Sequence, residues 1–469
     1  MGEAPVALFR PDFNRSVRVV AADTVLTEDA AALLLRQASH RTGLDARLAR
    51  LPDARDSAYT VYSIAELVRT RVLLLAQGWE DQGDANTLRF DPAFRLGVSG
   101  RAGETPLGSA THLPSQPTLS RMQHALADHD GIEALERTLC GQALDRVLRA
   151  EPNRRRLVID LDTTPIEVFG HQDGSSYNSH YHCTCFQPLI AVADTGDLLA
   201  VRLRPGANPT AEDAFAFLAG VLESVRSRGL VPIVRMDAGF SNAHMMRELD
   251  RLRVRFVTRR ASKPNLHVLS DAWYPRTREA WARTPAPDGA PRTATYEMWD
   301  KPQKSGRVRR ILAVAVEAAP GELLGKRFYL CTNLARSEET SANILAFYRQ
   351  RGAAEVFIGE YKRATVPSLR AVPRGKKPGT VTIRDNHVAV LLAGLAYNLV
   401  HALRVAIAAA TREGWSLERV RERVLKVATQ VVRHARQIVF RIATTKAALW
   451  AELGHLVCPG VVATGEVAR

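Results

Sequence analysis

Two short apolar runs near the middle of this 469-residue chain end on an acid. "LVIDLDTT" (Leu157–Thr164) and "LVPIVRMDAGF" (Leu230–Phe240) each read as a buried strand that stops at aspartate. Around them the periodicity alternates. "RRRLVIDLDTT", "YHCTCFQPLIAVAD" and "LLAVRLRPG" read as strands, and "AEDAFAFLAGVLESVRSRG" as an amphipathic helix stopped by glycine. "LVPIVRMDAGF", the helix "SNAHMMRELDRL" and the strand "VRFVTRR" complete an α/β unit with a mixed sheet. A carboxylate at the carboxyl end of such a strand faces a cleft, which singles out Asp162 and Asp237. Either acid has a plainer reading: Asp237 as a helix cap, and Asp160 or Asp162 as the answer to a buried basic residue.

The rest of the chain is too long for one core, so two to four domains are expected. Residues 1–150 read as a helical N-terminal region, expected to bind DNA as part of a basic protein. "TEDAAALLLRQASHRTG" starts at a cap-like Thr27, and "SIAELVRTRVLLLAQG" carries Ser63 and Glu66 in capping-box spacing. Residues 151–260 hold the α/β unit. In 261–330 proline, tryptophan and arginine replace helical periodicity, which predicts a mostly β insertion. Residues 331–410 resume the core, and 411–469 read as helical through "LERVRERVLKVATQVVRHARQ". Leu391–Ala410 is apolar enough to raise a membrane span, but Asn398, His401 and Arg404 interrupt it, so a buried helix is expected. The start of the chain lacks the pattern of a secretion signal, and five dispersed cysteines fit a reducing cytoplasm. "HYHCTC" (His180–Cys185) has no second paired Cys or His cluster, so a strand with small thiols is preferred over a zinc site.

The formal net charge is +15, and it is unevenly spread. From Arg251 to Arg310 there are 15 Lys/Arg against 5 Asp/Glu, which predicts a polyanionic partner such as nucleic acid. A further stretch, "YRQRGAAEVFIGEYK" (Tyr348–Lys362), places Tyr348, Arg351, Glu355 and Lys362 on one face of a helix. A polar stripe of this kind is either solvated or holds something anionic. Asp162, Asp237 and Glu355 would repel one another in one cleft unless a cation sat among them, and oxygen ligands select Mg²⁺ or Mn²⁺. A pair of such ions serves displacement at a phosphodiester.

Taken together, "DTT" after a strand, "DAGF" after a strand and Tyr-x2-Arg-x3-Glu-x6-Lys on a helix resemble the signature of DDE insertion-sequence transposases. "GWEDQGDANTLRFDPAFRL", "PTLSR" and "IDLDTT" are similar to the bacterial group related to piggyBac. The resemblance implies an α/β fold with a ribonuclease H-like mixed-sheet catalytic core, interrupted by the β insertion and flanked by helical N- and C-terminal regions. It implies that Asp162, Asp237 and Glu355 are catalytic and hold two Mg²⁺ (or Mn²⁺) ions. Tyr348, Arg351 and Lys362 would contact phosphates of double-stranded DNA, both transposon terminal repeats and target. Trp299 would stack a flipped base, the alternative being a core tryptophan of the insertion. A homodimer on DNA in the bacterial cytoplasm, close to the nucleoid, also follows from the resemblance. A ribonuclease H-like nuclease that cuts without joining, and a DNA-binding protein that no longer catalyses, stand as alternatives.

Overall fold

The computed structural model of the chain describes residues 7–457, apart from 10–11, 13–15, 17–18, 22, 208–210, 285–290, 301–306, 319–324, 368, 372–380 and 435–436. Eight strands form its largest sheet. They are β1 (Arg156–Thr163), β2 (Leu189–Ala193), β3 (Leu198–Arg202), β4 (Val231–Met236), β5 (Arg255–Arg260), β6 (Thr293–Asp300), β7 (Arg309–Val316) and β8 (Lys326–Thr332). Their order is β6-β7-β8-β5-β4-β1-β2-β3. The three central strands β5, β4 and β1 run parallel, and every other pairing is antiparallel. Runs such as Leu189–Ala193 are apolar at every position because both faces of the sheet are covered.

One face packs α3 (His129–Ala150), α4 (Ala211–Arg226) and α5 (Ala243–Arg251) against Leu157, Ile159 and Leu161 of β1. The other face carries α8 (Ser341–Arg349), α9 (Gly352–Ala364) and α10 (Ile383–Thr411). Helix α10 is long and apolar enough to cross a membrane, yet most of it is buried within the protein. Its polar Asn398 donates to and accepts from the backbone of Leu198, and so fastens the helix to β3. The N-terminal helices α1 (Ala32–Arg41) and α2 (Ile64–Ala76) share one hydrophobic core with α10. The β2–β3 turn depends on Gly196, whose φ is +88° and whose missing Cβ would lie 2.8 Å from the His401 ring.

The sequence reading differs from the structure at three places: the start of α1, the insertion and the C-terminal region. Helix α2 has the expected capping box, with Ser63 and Glu66 each bonded to the other's backbone N–H. Helix α1, however, starts at Ala32, because Thr27 is spent on a short strand and its hydroxyl accepts from Asp29 N–H. In the insertion two helices, α6 (Pro264–Ser270) and α7 (Tyr274–Arg283), precede the strands, and β6–β8 extend the core sheet. The C-terminal region is not helical throughout. After a short helix at Leu417–Val420, strands Thr429–His434 and Gln437–Ile442 form a hairpin that pairs with Leu26–Thr27. The β-branched residues Val431, Val432, Ile438 and Val439 favour that conformation, outweighing the helical charge pattern that precedes them.

One buried ion pair fixes the centre of the sheet. Arg235 on β4 is the register neighbour of Asp160 on β1, and both are almost fully buried. The guanidinium grips the carboxylate with two bonds, Nε to Oδ1 at 2.8 Å and Nη2 to Oδ2 at 2.6 Å. Its Nη1 donates to the carbonyl of Phe347 on α8 at 2.8 Å. Asp160 therefore answers a buried basic residue. Asp160→Ala strands the guanidinium, and we expect it to lower stability by about 3–5 kcal/mol in urea or thermal unfolding. A change below about 1 kcal/mol would show that the pair is dispensable.

Candidate active site

Asp162 and Asp237 come together through strand register. Leu161 pairs with Met236 across the parallel β1–β4 ladder, so the next residue on each strand is an aspartate. Asp162 is the penultimate residue of β1; one of its oxygens accepts from Thr163 N–H at 2.8 Å. Asp237 follows β4 directly and caps a short 3₁₀ turn, accepting from Gly239 N–H at 2.9 Å. The Thr258 hydroxyl holds the Asp237 carbonyl at 3.0 Å. The capping reading of Asp237 is thus correct, and it leaves the other carboxylate oxygen available.

Glu355 arrives from the opposite face of the sheet. The expected single helix over Tyr348–Lys362 is in fact two, α8 and α9, separated at Gln350 and Arg351. The junction is closed by short-range bonds, Arg351 N–H to Tyr348 O at 3.0 Å and Ala354 N–H to Arg351 O at 2.9 Å. Gly352 opens α9, so it carries none of the cost of an interior helical glycine; no side chain approaches it. The break turns the Arg351 side chain into the sheet. Its Nη2 meets Asp162 Oδ2 at 2.5 Å and its Nη1 meets Glu355 Oε1 at 2.9 Å. Arg351 is buried, Asp162 nearly so, and Glu355 is 65% exposed.

Charge at this point is unbalanced by burial. Desolvation pushes the Asp162 carboxyl up to about 6, against the pull of Arg351 and Thr163 N–H, while Asp237 and Glu355 add to the rise. Burial works against the charge of Arg351, but Asp162, Tyr348, Asp237 and Glu355 together more than offset it. The Tyr348 phenol is raised by burial and by the same two aspartates, and Arg351 and Arg259 oppose that. These interactions place Tyr348, Arg351 and the three acids in one electrostatic neighbourhood.

The other expected residues divide. Lys362 is two turns beyond Glu355 on α9, half-buried, with its charge felt at Cys185. Trp299 is not brought to the carboxylates: it lies on β6, four strand spacings from β4, roughly 19 Å. At 52% exposure it is not a core tryptophan either. Two residues near the acids were passed over. Arg259 stands at the end of β5, the next parallel strand after the one leading to Asp237, so the same strand-end rule points to it. Tyr181 feels both Asp162 and Asp237 from a loop, and no pattern in the sequence marks it.

The donor set suits a hard divalent cation, being made of carboxylate oxygens with one held against strong desolvation. Its arrangement is open. Among the described residues no group of three or more His, Cys, Asp or Glu is close enough to enclose a metal ion. The Arg351 guanidinium spans Asp162 and Glu355, supplying the positive charge there.

Because the folded-state value of Asp162 lies above its ordinary 3.8, its contribution to stability is full below about pH 3.8 and lost as pH rises through about 6. Asp162→Asn is therefore expected to stabilise the protein near pH 8, by on the order of 1–3 kcal/mol, and to change little near pH 4. Thermal melts of both proteins across that range check the sign. An equal gain at both ends would contradict the cause given.

A comparison with curated proteins found no match. The family model described as Transposase DDE domain group 1 matches residues 9–456, which includes both strand-end aspartates and the whole of α8 and α9. With nearly its full length so matched, the chain belongs to the DDE transposase domain group 1 family.

Proposed function

We propose that this protein is a DNA transposase of the group related to piggyBac, moving an insertion sequence by cut-and-paste. Family membership supports transposase activity and the use of divalent metal in general terms. The observation that carries the finer reading is the placement of Asp162 and Asp237 at neighbouring strand ends, with Arg351 bonded to both Asp162 and Glu355. The strand order β3-β2-β1-β4-β5, antiparallel then parallel, supports a ribonuclease H-like core. Within this reading Asp162, Asp237 and Glu355 hold two Mg²⁺ ions, Mn²⁺ substituting. When bound, the ions supply activation of an attacking oxygen and charge relief for the leaving oxygen.

The chain's own residues do the positioning. Asp162 and Asp237 are fixed by backbone N–H donors at the ends of neighbouring strands, and the second oxygen of Asp162 is turned to Arg351, which a bound cation would have to displace or share. Glu355 is exposed and held through Arg351, which leaves it the most adjustable of the three. Arg351 has two amino groups to share among carboxylates and an arriving phosphate, and a bidentate grip suits a phosphodiester. Tyr348 and Lys362 extend the contact on either side, fixing the strand rather than reading its bases. Cleavage and joining both displace an oxygen at phosphorus, so one site serves both steps. Two element ends handled together call for a homodimer on DNA.

The test uses purified protein, a labelled transposon end, a target plasmid and Mg²⁺, with Ca²⁺ as a binding-only control. Glu355→Gln is expected to abolish cleavage and joining while end binding persists, and Arg351→Ala to slow both by about 10²–10³-fold. Cleavage without joining by the unaltered protein would mean a nuclease. Binding without either reaction would mean a DNA-binding relic.

A further inference from the structure

The parallel strands have a second end. Where β5 begins, a groove of about 630 Å³ opens, and six arginines line it: Arg253, Arg255, Arg307, Arg309, Arg310 and Arg336. Asp250 is the acid among its lining residues, and the exposed indole of Trp299 stands at its wall. A less basic groove past Arg154 and Arg156 continues it along the same edge of the sheet, sharing Arg253 and Arg255.

Guanidiniums outnumber their acidic partners here: Arg255 pairs with Glu338, and Arg310 and Arg336 share Glu297. Arg309 is 3% exposed; its Nη1 meets Asp250 at 2.5 Å, but its Nε and Nη2 have no hydrogen-bond partner among the described residues. Asp250 also serves Arg307 at 3.5 Å, so one carboxylate answers two guanidiniums. Arg310 pairs with Glu297 and the Leu334, Ala335 and Glu339 carbonyls, and its Nε is left over. A buried guanidinium N–H without an acceptor is costly, and the excess positive charge beneath the groove favours an anion above it.

Arg253 adds an independent sign. It follows α5 and its C-cap Leu252 with φ at +54°, closing the helix through Arg253 N–H to Asp250 O and Val254 N–H to Leu249 O. Glycine takes that place in most helix ends because no Cβ opposes the left-handed conformation. Here an arginine takes it. Its side chain is exposed into both grooves, with no hydrogen-bond or ion-pair partner among the described residues. An outlier of this kind at a basic groove points to use.

We propose that the groove binds the phosphodiester backbone of duplex DNA at a site separate from the carboxylates. The proposal rests on the transposase reading above. The carboxylates stand at the other ends of β1 and β4: Arg255 is level with Ile233, four residues or roughly 13 Å along the strands from Asp237, and Arg310 lies three strand spacings from β4, roughly 14 Å to the side, so the groove takes a different stretch of DNA backbone from the phosphodiester being cut. That stretch belongs either to the transposon end beyond the cut or to the target duplex.

Fluorescence anisotropy in Ca²⁺, with a labelled transposon end in one arm and an unrelated target duplex in the other, tests this across a salt series. The triple variant Arg253→Ala, Arg307→Ala, Arg336→Ala alters exposed side chains only. It is expected to bind one of the two DNAs at least tenfold more weakly, with the slope of log affinity against log salt reduced by about 2–3. The arm that changes names the source. Arg253→Gly alone is expected to raise the melting temperature while weakening the same binding, a combination that misfolding does not produce. A charge-matched variant at exposed Arg121, Arg276 and Arg283 is expected to keep the original slope. An unchanged slope in the groove variant, or an equal loss in the charge-matched one, overturns the proposal. If the unaltered protein cuts and joins while the groove variant binds as before, the groove alone fails. If the unaltered protein binds neither DNA, the transposase reading falls with it.

Discussion

The Asp160–Arg235 pair is the contact on which the arrangement of acids depends. It is buried, bidentate and placed between register neighbours on the two strands that end in Asp162 and Asp237. A one-residue slip between parallel strands would send one of those aspartates to the other face. The pair makes a slip expensive, because a displaced guanidinium would lie buried without its carboxylate. The same guanidinium reaches Phe347 O near the end of α8, one turn before the break that aims Arg351 at Asp162. A single arginine therefore sets two strands and a helix end from inside the protein, and the carboxylates at the surface inherit that placement.

Arg351 carries the next consequence. Its buried guanidinium is tolerable because it is bonded to Asp162 and Glu355, with Asp237 and Tyr348 adding favourable charge, and Asp162 is tolerable as an anion because Arg351 is there. Such mutual dependence marks a place where charge is concentrated before any ligand arrives. The opposite end of the strands shows the reverse imbalance, with arginines exceeding acids around the groove beside β5. The sheet thus separates an acidic end from a basic end, and a polyanion bound along the protein would meet both.

Much of this was legible in the sequence because it is local. Apolar runs ending in aspartate gave β1 and β4, and Ser63 with Glu66 marked the start of α2. The preference for Asp162 over Asp160 came from the resemblance, in which the aspartate precedes two threonines; Asp160 lies two residues deeper on β1 and is spent on Arg235. What escaped depends on distant partners. The break at Gln350–Arg351 is set by a carboxylate 189 positions away, which helical periodicity cannot register. Trp299 was displaced from the site by the sheet order, since β7 and β8 lie between β6 and the core. The hairpin at Thr429–Ile442 follows β-branched content that a basic helical pattern disguised. Tyr181 stands on a loop, where spacing carries no message.

The central claim is that Asp162, Asp237 and Glu355 form one cation site, and binding of Mn²⁺ followed by electron paramagnetic resonance tests it without reference to turnover. The account predicts saturable binding to the unaltered protein, weakened at least tenfold by Asp162→Asn, Asp237→Asn or Glu355→Gln taken singly. Equal binding by all four proteins would contradict it, and would leave the three carboxylates as charges balanced by Arg351 alone.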